Sequence, residues 1–344
     1  YLDFVALSMC RMILFILLSE RDYEIMRWVF RIFLEAEESI MSVTKTSFGR
    51  LPDGREVEKY TLVGKGGMEA SFLTFGATLQ ALRYRGEDRV LGYDDIDGYL
   101  PLSSYQGATV GRCANRISGL PFTVGGVEVR LPCNENPEVQ LHGGAGGFSG
   151  KLWTAEVLED GDEPAVRFSI ESPDGEEGYP GNLTMHVTMR IAADNTWHIL
   201  YEAKADKDTL VSPTNHAYFQ LDGEDTALDT LITLESDAYL PVDDKLLPTG
   251  ECRPVAETPF DFRTAKPIGR DLEADDEQLR LGKGYDHNFN LRGQGWRLAA
   301  TAVSPHSGVR LECYTDRPGI QFYTANCLGE STGRGGVALH KNQG

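Results

Sequence analysis

The chain is poor in positive charge. Its 33 Lys and Arg face 52 Asp and Glu, a formal net charge of −19. That deficit excludes the basic footprint of a nucleic-acid partner and argues against docking on anionic lipid headgroups. A neutral or cationic small molecule stays open. Cysteine is sparse: Cys10, Cys113, Cys133, Cys252, Cys313 and Cys327 include no CxxC pair. Zinc and thioredoxin chemistry therefore drop out, and six cysteines in so long a chain do not read as a disulfide scaffold. Reduced thiols in the cytoplasm are the expectation. The seven histidines form no HExxH and no cluster with carboxylates, so nothing calls for a metal. The absence of a GxSxG elbow and of a P-loop weighs against acyl transfer and nucleotide binding.

Long hydrophobic runs are missing too. The apolar run MILFILL (12–18) is too short to span a bilayer. Extending it toward residue 2 brings in Asp3 and Arg11, which are expensive at mid-membrane. As a signal peptide it carries an acid ahead of the apolar core and no small-residue cleavage site after it. Within residues 1–40, Glu24, Arg27, Arg31, Glu35 and Glu38 recur at helical spacing, with Ile25, Trp28, Val29, Ile32 and Phe33 around them. An N-terminal helical extension is expected here. It reads either as a membrane-surface or partner helix, or as an upstream segment outside the working protein, since "MSVTKTSFGRLPDG" from Met41 reads like a natural start.

From Thr44 onward the texture is strands. In "LTMHVTMRI" the residues Leu183, Met185, Val187, Met189 and Ile191 share one face. After a polar turn at Asp194-Asn195, Trp197, Ile199, Tyr201 and Ala203 alternate back as the second arm of a hairpin. "FTVGGVEVRL" is a second hairpin, turning at Gly125-Gly126. No later stretch keeps helical periodicity over three turns, and no repeat or linker divides the chain. Hydrophobic residues make up 41%, enough for a large core. One antiparallel all-β domain over 41–344, a sandwich or barrel, is expected. His186 and His198 lie opposite the apolar faces of their strands and read as surface residues.

Polar loops interrupt that texture. "GRCANRI" sets Asn115 beside Arg116, "LHGG" puts His142 before two glycines, and "SPTNHAYFQLDG" holds His216. "GYDHNF" carries Asp286 and His287, and "GIQFYTAN" carries Gln321. Any one of these is more often structural than functional. Together they supply planar donors and acceptors suited to vicinal hydroxyls on a sugar.

Taken in order with "FGRLPDG", "GYPGNL", "LPTGE", "TPFDFR" and "RPGIQFYTANCLG", these stretches resemble the aldose 1-epimerase (galactose mutarotase) family over about residues 47–339. The resemblance implies a large galactose-mutarotase-like β-supersandwich. It implies interconversion of α and β anomers of an aldose such as galactose or glucose through the open-chain aldehyde, with no cofactor. It makes His216 the general acid toward the ring oxygen and His142 a hydrogen-bonding partner near the reacting end. Asn115, Arg116, Asp286 and Gln321 match positions that hold sugar hydroxyls. His287 carries no role over.

One position departs from the pattern. The family's general base is a glutamate after a GxxL strand. Here the strand reads "GGVALHKNQG", and His340 stands in its place. The chain then ends where the family pattern continues, so 41–344 reads as a C-terminally truncated domain with an uncovered edge, prone to association. Three readings follow: a fragment crippled in catalysis, His340 as a substitute base, or a sugar-binding protein without turnover. A hexose-6-phosphate epimerase on the same fold is a further alternative, but it needs extra cations, and only Arg116 and Arg112 lie near the motifs. A monomer or homodimer acting on a small aldose is expected.

Overall fold

Alternation along 183–191 becomes a buried face. Leu183, Met185, Val187, Met189 and Ile191 are each no more than 1% exposed. The computed structural model describes residues 42–344 apart from 103 and 224. The helical extension expected within 1–40 lies outside the described residues. Strand Leu183–Ile191 pairs with Trp197–Ala205 in unbroken antiparallel register, from Leu183 opposite Ala205 to Ile191 opposite Trp197. Trp197, Ile199 and Tyr201 are half-buried as expected, whereas Ala203 is exposed, because Trp197–Ala205 is the edge strand of its sheet. Thr154–Glu159 and Ala165–Ser172 complete that four-stranded sheet. His198 is exposed, and His186 is half-buried with its Nδ1 2.7 Å from Ser169 Oγ.

A five-stranded antiparallel meander packs against this sheet, running Val43–Arg50, Glu56–Val63, Glu69–Leu73, Thr78–Tyr84 and Glu87–Asp88. Leu62, Phe72 and Leu79 from the meander share one core with Phe168, Met185 and Val187. Two sheets burying one face each make a sandwich. Each such side chain contributes about 1.5–3 kcal/mol when fully buried. The hairpin at Gly125-Gly126 forms as read, pairing Phe122–Val124 with Val127–Val129. Both glycines have positive φ, +55° and +82°, as a two-residue turn matched to strand twist requires.

The second half repeats the layering. One four-stranded sheet is centred on Leu231–Leu234 and Arg297–Val303, another on Ser236–Leu240 and Asp286–Leu291. Ile232, Leu234, Phe260, Phe262, Tyr285 and Phe289 fill its core. The one α-helix among the described residues is Glu277–Gly282, capped by Asp276, whose carboxylate accepts from the amides of Gln278 and Leu279. A third apolar cluster joins the halves: Leu73 and Leu91 meet Tyr218, Ala325, Leu328 and Leu339. Arg334 ties the last segment to the meander, donating to the carbonyls of Gln80 and Val90 and pairing with Asp88 at 2.9 Å. The loops around 105–116, 135–142 and 216 thus come to one place with strands 286–291 and 319–323.

Candidate active site

His216 is held by its backbone on both sides. Thr214–Asn215 pairs with Thr109–Val110. The His216 amide donates to Ala108 O at 2.9 Å, and its carbonyl accepts from the Gly107 amide at 2.9 Å. Gly107 is obligatory: its φ is +68°, and a Cβ there would sit 2.0 Å from Leu79 O. The Asn215 side chain adds a bond to Gly107 O at 2.7 Å. Thr214–Asn215 is therefore a two-residue strand, and His216 follows directly after it with its backbone fixed.

Around that ring the structure gathers aromatics. Tyr218 stacks on His216 at 5.2 Å between centroids, and His142 meets it edge-on at 5.1 Å. Tyr105 touches both imidazoles, at 4.6 Å from His142 and 6.0 Å from His216. Tyr323 closes the ring set at 6.4 Å from His216. Tyr105, Asn115 and His142 all have positive φ, at +53°, +64° and +54°. For residues with a Cβ such backbone is uncommon, and it concentrates where surrounding structure enforces it.

Asn115 and His142 enforce each other. The His142 amide donates to Asn115 O at 3.1 Å. The Asn115 amide donates to His142 Nδ1 at 3.0 Å. An acceptor Nδ1 assigns the ring proton to Nε2, so His142 offers an N–H donor to whatever occupies the cleft. The glycines after it are needed: at Gly143, with φ +88°, a Cβ would lie 1.9 Å from Gly111 O.

Both imidazoles keep a partly exposed edge, but protein packs their remaining faces. Burial pushes His216 down to about 4, with its own backbone carbonyl pulling the other way. Burial also holds His142 well below the usual histidine range, reinforced by repulsion from His216 and Arg116. Near neutral pH the pair is uncharged. Desolvation thus moves His216 away from the ordinary histidine range near 6.5.

The opposite wall is ionic. Arg116 Nη1 donates to Asp286 Oδ2 at 3.3 Å, and Gln321 Nε2 donates to Asp286 Oδ1 at 2.8 Å. Burial pushes the Asp286 carboxyl up, while Arg116 and Gln321 oppose that rise. Asn115 Oδ1 accepts from the Arg116 amide at 2.9 Å. The sequence-derived set Asn115, Arg116, His142, Asp286 and Gln321 is thus linked through these bonds, and His216 joins through its ring contact with His142. Tyr105, Tyr323 and Glu135 belong to the same cleft and escaped sequence reading. Tyr323 sits inside "GIQFYTAN", where Gln321 is the candidate, while Tyr105 and Glu135 lie outside the quoted motifs, and only the Tyr-Gln-Gly ahead of "GRCANRI" hints at a packed ring.

His287 points the other way. It is fully buried, its Nε2 lies 3.2 Å from Gln278 Oε1, and its ring packs on Phe260. It is structural, as strand alternation from Asp286 dictates. His340 is half-buried, with Nδ1 3.0 Å from Lys341 O and its amide on Gln343 Oε1 at 3.2 Å. Among the described residues its ring makes no aromatic contact with the cleft rings. The segment after it does approach: Gly344 packs against Leu91 and Tyr218, and Gln220 Nε2 donates to Gln343 O at 2.8 Å.

Arg112 is not available to a ligand. It is 2% exposed. Its guanidinium donates to Ser172 Oγ and O, to the carbonyls of Pro173, Pro180 and Gly181, and to Thr209 Oγ1. Among the described residues no group of three His, Cys, Asp or Glu is placed to hold a metal. None of the described helices is long and apolar enough to cross a membrane.

Known proteins resemble this chain. A family model for aldose 1-epimerase matches residues 58–343. The chain is similar to the galactose mutarotase of Mus musculus, with 42% identity over 315 residues and 89% of each chain covered. It is 38% identical to the aldose 1-epimerase of Escherichia coli over 292 residues, with 83% of each covered. The crystal structure of galactose 1-epimerase from Lactobacillus acidophilus matches with a TM-score of 0.77 at 32% identity, covering 85% of each chain. A match of this breadth, over both halves of the sandwich and every wall of the cleft, assigns the chain to the aldose 1-epimerase family.

Proposed function

We propose that the chain interconverts the α and β anomers of aldohexoses such as galactose and glucose by opening and reclosing the pyranose ring. The observation that carries this reading is the edge-on pair of desolvated imidazoles, His142 and His216 at 5.1 Å, facing an Asp286 carboxylate shared by Arg116 and Gln321. In ring opening O5 gains a proton, the C1 hydroxyl loses one, and the C1–O5 bond breaks. His216 gives O5 its proton as the imidazolium, because the one N–H of its neutral ring is turned to its own backbone carbonyl. Burial keeps that form scarce near neutral pH. The proton transfers as the C1–O5 bond breaks, which returns the ring to its neutral state. His142 Nε2–H hydrogen-bonds the sugar near the same end. Asp286, Gln321, Arg116 and Asn115 hold hydroxyls and fix which face of C1 is presented.

The proton acceptor for the C1 hydroxyl is the weak part of this site. A carbonyl can only accept, so the contact with Lys341 O assigns the His340 proton to Nδ1 and leaves Nε2 basic. That nitrogen has no carboxylate's charge. We read His340 as a bystander, the C1 proton as passing to solvent water, and the chain for that reason as a slow mutarotase. Polarimetry on fresh α-D-galactose tests this. A slow but catalysed rate is expected, with His340→Ala within about twofold of it. His340→Glu should raise it by roughly 10²-fold, the lower range for a positioned acid or base. Loss of the residual rate in His340→Ala would instead make His340 the base. Sugar binding with no catalysed exchange would favour a binding protein. Exposed free thiols at Cys133, Cys252 and Cys327 support a reducing, cytoplasmic setting, with a monomer or homodimer as the working form.

A further inference from the structure

Arg116 is the one guanidinium in the cleft that is not consumed by carbonyls, and most of it is already paired. Glu135 takes its outer edge as a fork. Nε donates to Glu135 Oε2 at 2.8 Å and to Oε1 at 3.1 Å, and Nη2 donates to Oε1 at 2.8 Å. Nη1 reaches Asp286 Oδ2 at 3.3 Å and Asn115 Oδ1 at 3.5 Å, and Nη2 keeps its second N–H. The pair lies at the cleft rim: the Arg116 side chain is 11% exposed and that of Glu135 27%, and Glu135 as a whole is an exposed residue.

Glu135 is presented by a stiff loop rather than a free tip. The amides of Asn134 and Glu135 both donate to Val139 O, at 3.1 and 3.3 Å. Asn134 bridges to the Leu141 backbone through Oδ1 at 2.7 Å and Nδ2 at 3.1 Å. Leu141 immediately precedes His142, so the loop that orients Glu135 is continuous with the one that orients a cleft histidine.

We propose that Glu135 is a positioning and specificity residue. It occupies the Nε/Nη2 edge of Arg116, leaves only the Nη1/Nη2 end for a sugar hydroxyl, and tips the cleft toward neutral aldoses and away from phosphorylated ones. This deepens the mutarotase reading and rests on it. The charge count supports it: one guanidinium faces two carboxylates, Glu135 and Asp286, beside two imidazoles. A phosphate dianion entering here meets an excess of negative charge and a cation whose Nε/Nη2 fork is already taken by Glu135, and a fork is the geometry that phosphate recognition uses best. The nearest other guanidinium, Arg112, spends its donors on carbonyls and hydroxyls. The chain's overall charge of −19 repels the same ligands at longer range.

The test is calorimetry on the full chain with galactose and galactose 6-phosphate, comparing wild type, Glu135→Gln and Glu135→Asp, with thermal unfolding to show that each variant is folded. In wild type the phosphate ester should bind at least roughly tenfold more weakly than the free sugar. Glu135→Gln removes one negative charge and frees the fork, so that ratio should fall by roughly tenfold, while Glu135→Asp, which keeps the pair, should restore it. Inorganic phosphate should compete with galactose in Glu135→Gln far better than in wild type. A ratio that does not move in Glu135→Gln, or affinities for both sugars that fall in parallel, would overturn the inference. Because binding is read directly, slow turnover does not obscure the answer. A wild-type chain that binds neither sugar would sink the mutarotase reading itself, and this inference with it.

Discussion

The two walls of the cleft are built on opposite principles. On one, Tyr105, His142, His216, Tyr218 and Tyr323 pack ring against ring, and burial keeps both imidazoles neutral. On the other, Arg116, Glu135, Asp286 and Gln321 are already charged or hydrogen-bonded before any ligand arrives. The neutral wall has no strong interaction with a resting sugar, but it lies where charge develops as the ring opens. The ionic wall has its full strength in the ground state. Groups that act mainly in the transition state should show in kcat, and groups that act equally in both states should show in KM.

The largest effect should come from His216→Ala. Loss of a positioned acid lowers kcat by about 10²–10⁴-fold, while calorimetry should still detect galactose held by the ionic wall. The His340→Glu background gives the amplitude needed for the measurement. If His216→Ala lost binding to the same extent as rate, the division between the walls would fail, and His216 would be a sugar-holding residue.

Acid should find the neutral residues first. His216 and the fully buried His287 are both pushed down to about 4 by burial. A depressed imidazole binds fewer protons in the folded chain than in the unfolded one. Stability is therefore fully present above the ordinary value of 6.5 and drains as pH falls toward about 4. For His287 alone this comes to about 3 kcal/mol. Urea unfolding from pH 7 to pH 4 should show a falling midpoint, and His287→Gln should flatten that fall although it lowers stability at pH 7. A midpoint independent of pH would mean that these rings stay hydrated.

The sandwich was legible because burial is periodic. The Leu183-to-Ile191 face could be read residue by residue, and so could the glycine turn at Gly125-Gly126. The motif residues were legible as well, because "GRCANRI", "LHGG" and "TNH" are fixed by backbone needs that sequence records: a glycine at 107, another at 143, and a short bridge at 214–215. What could not be read is what depends on packing across distant loops. Glu135 lies in "NENPE", which looks like any polar turn, and its pairing with Arg116 depends on a register set by Asn134 and Val139. Tyr105 sits among serines and glycine, and its ring matters only because it lands between two histidines. The depressed histidine pKa is of the same kind: desolvation belongs to the assembled cleft, not to any stretch of chain.

The smallest and most discriminating test is Asp286→Asn. The carboxylate accepts from Arg116 at one oxygen and from Gln321 at the other. An amide can accept at only one of the two, and its NH₂ would face a donor at the other. One partner must turn away, and the sugar loses a charged acceptor for its hydroxyls. Hydrogen bonds to charged groups contribute about 1.5–3 kcal/mol, so KM and Kd should rise by roughly tenfold or somewhat more. The change in kcat should be smaller than that, since Asp286 touches hydroxyls and not the breaking bond. If kcat fell more than KM rose, the carboxylate would be stabilising the transition state through Arg116. The ionic wall would then share the proton chemistry that its preformed pairs argue against.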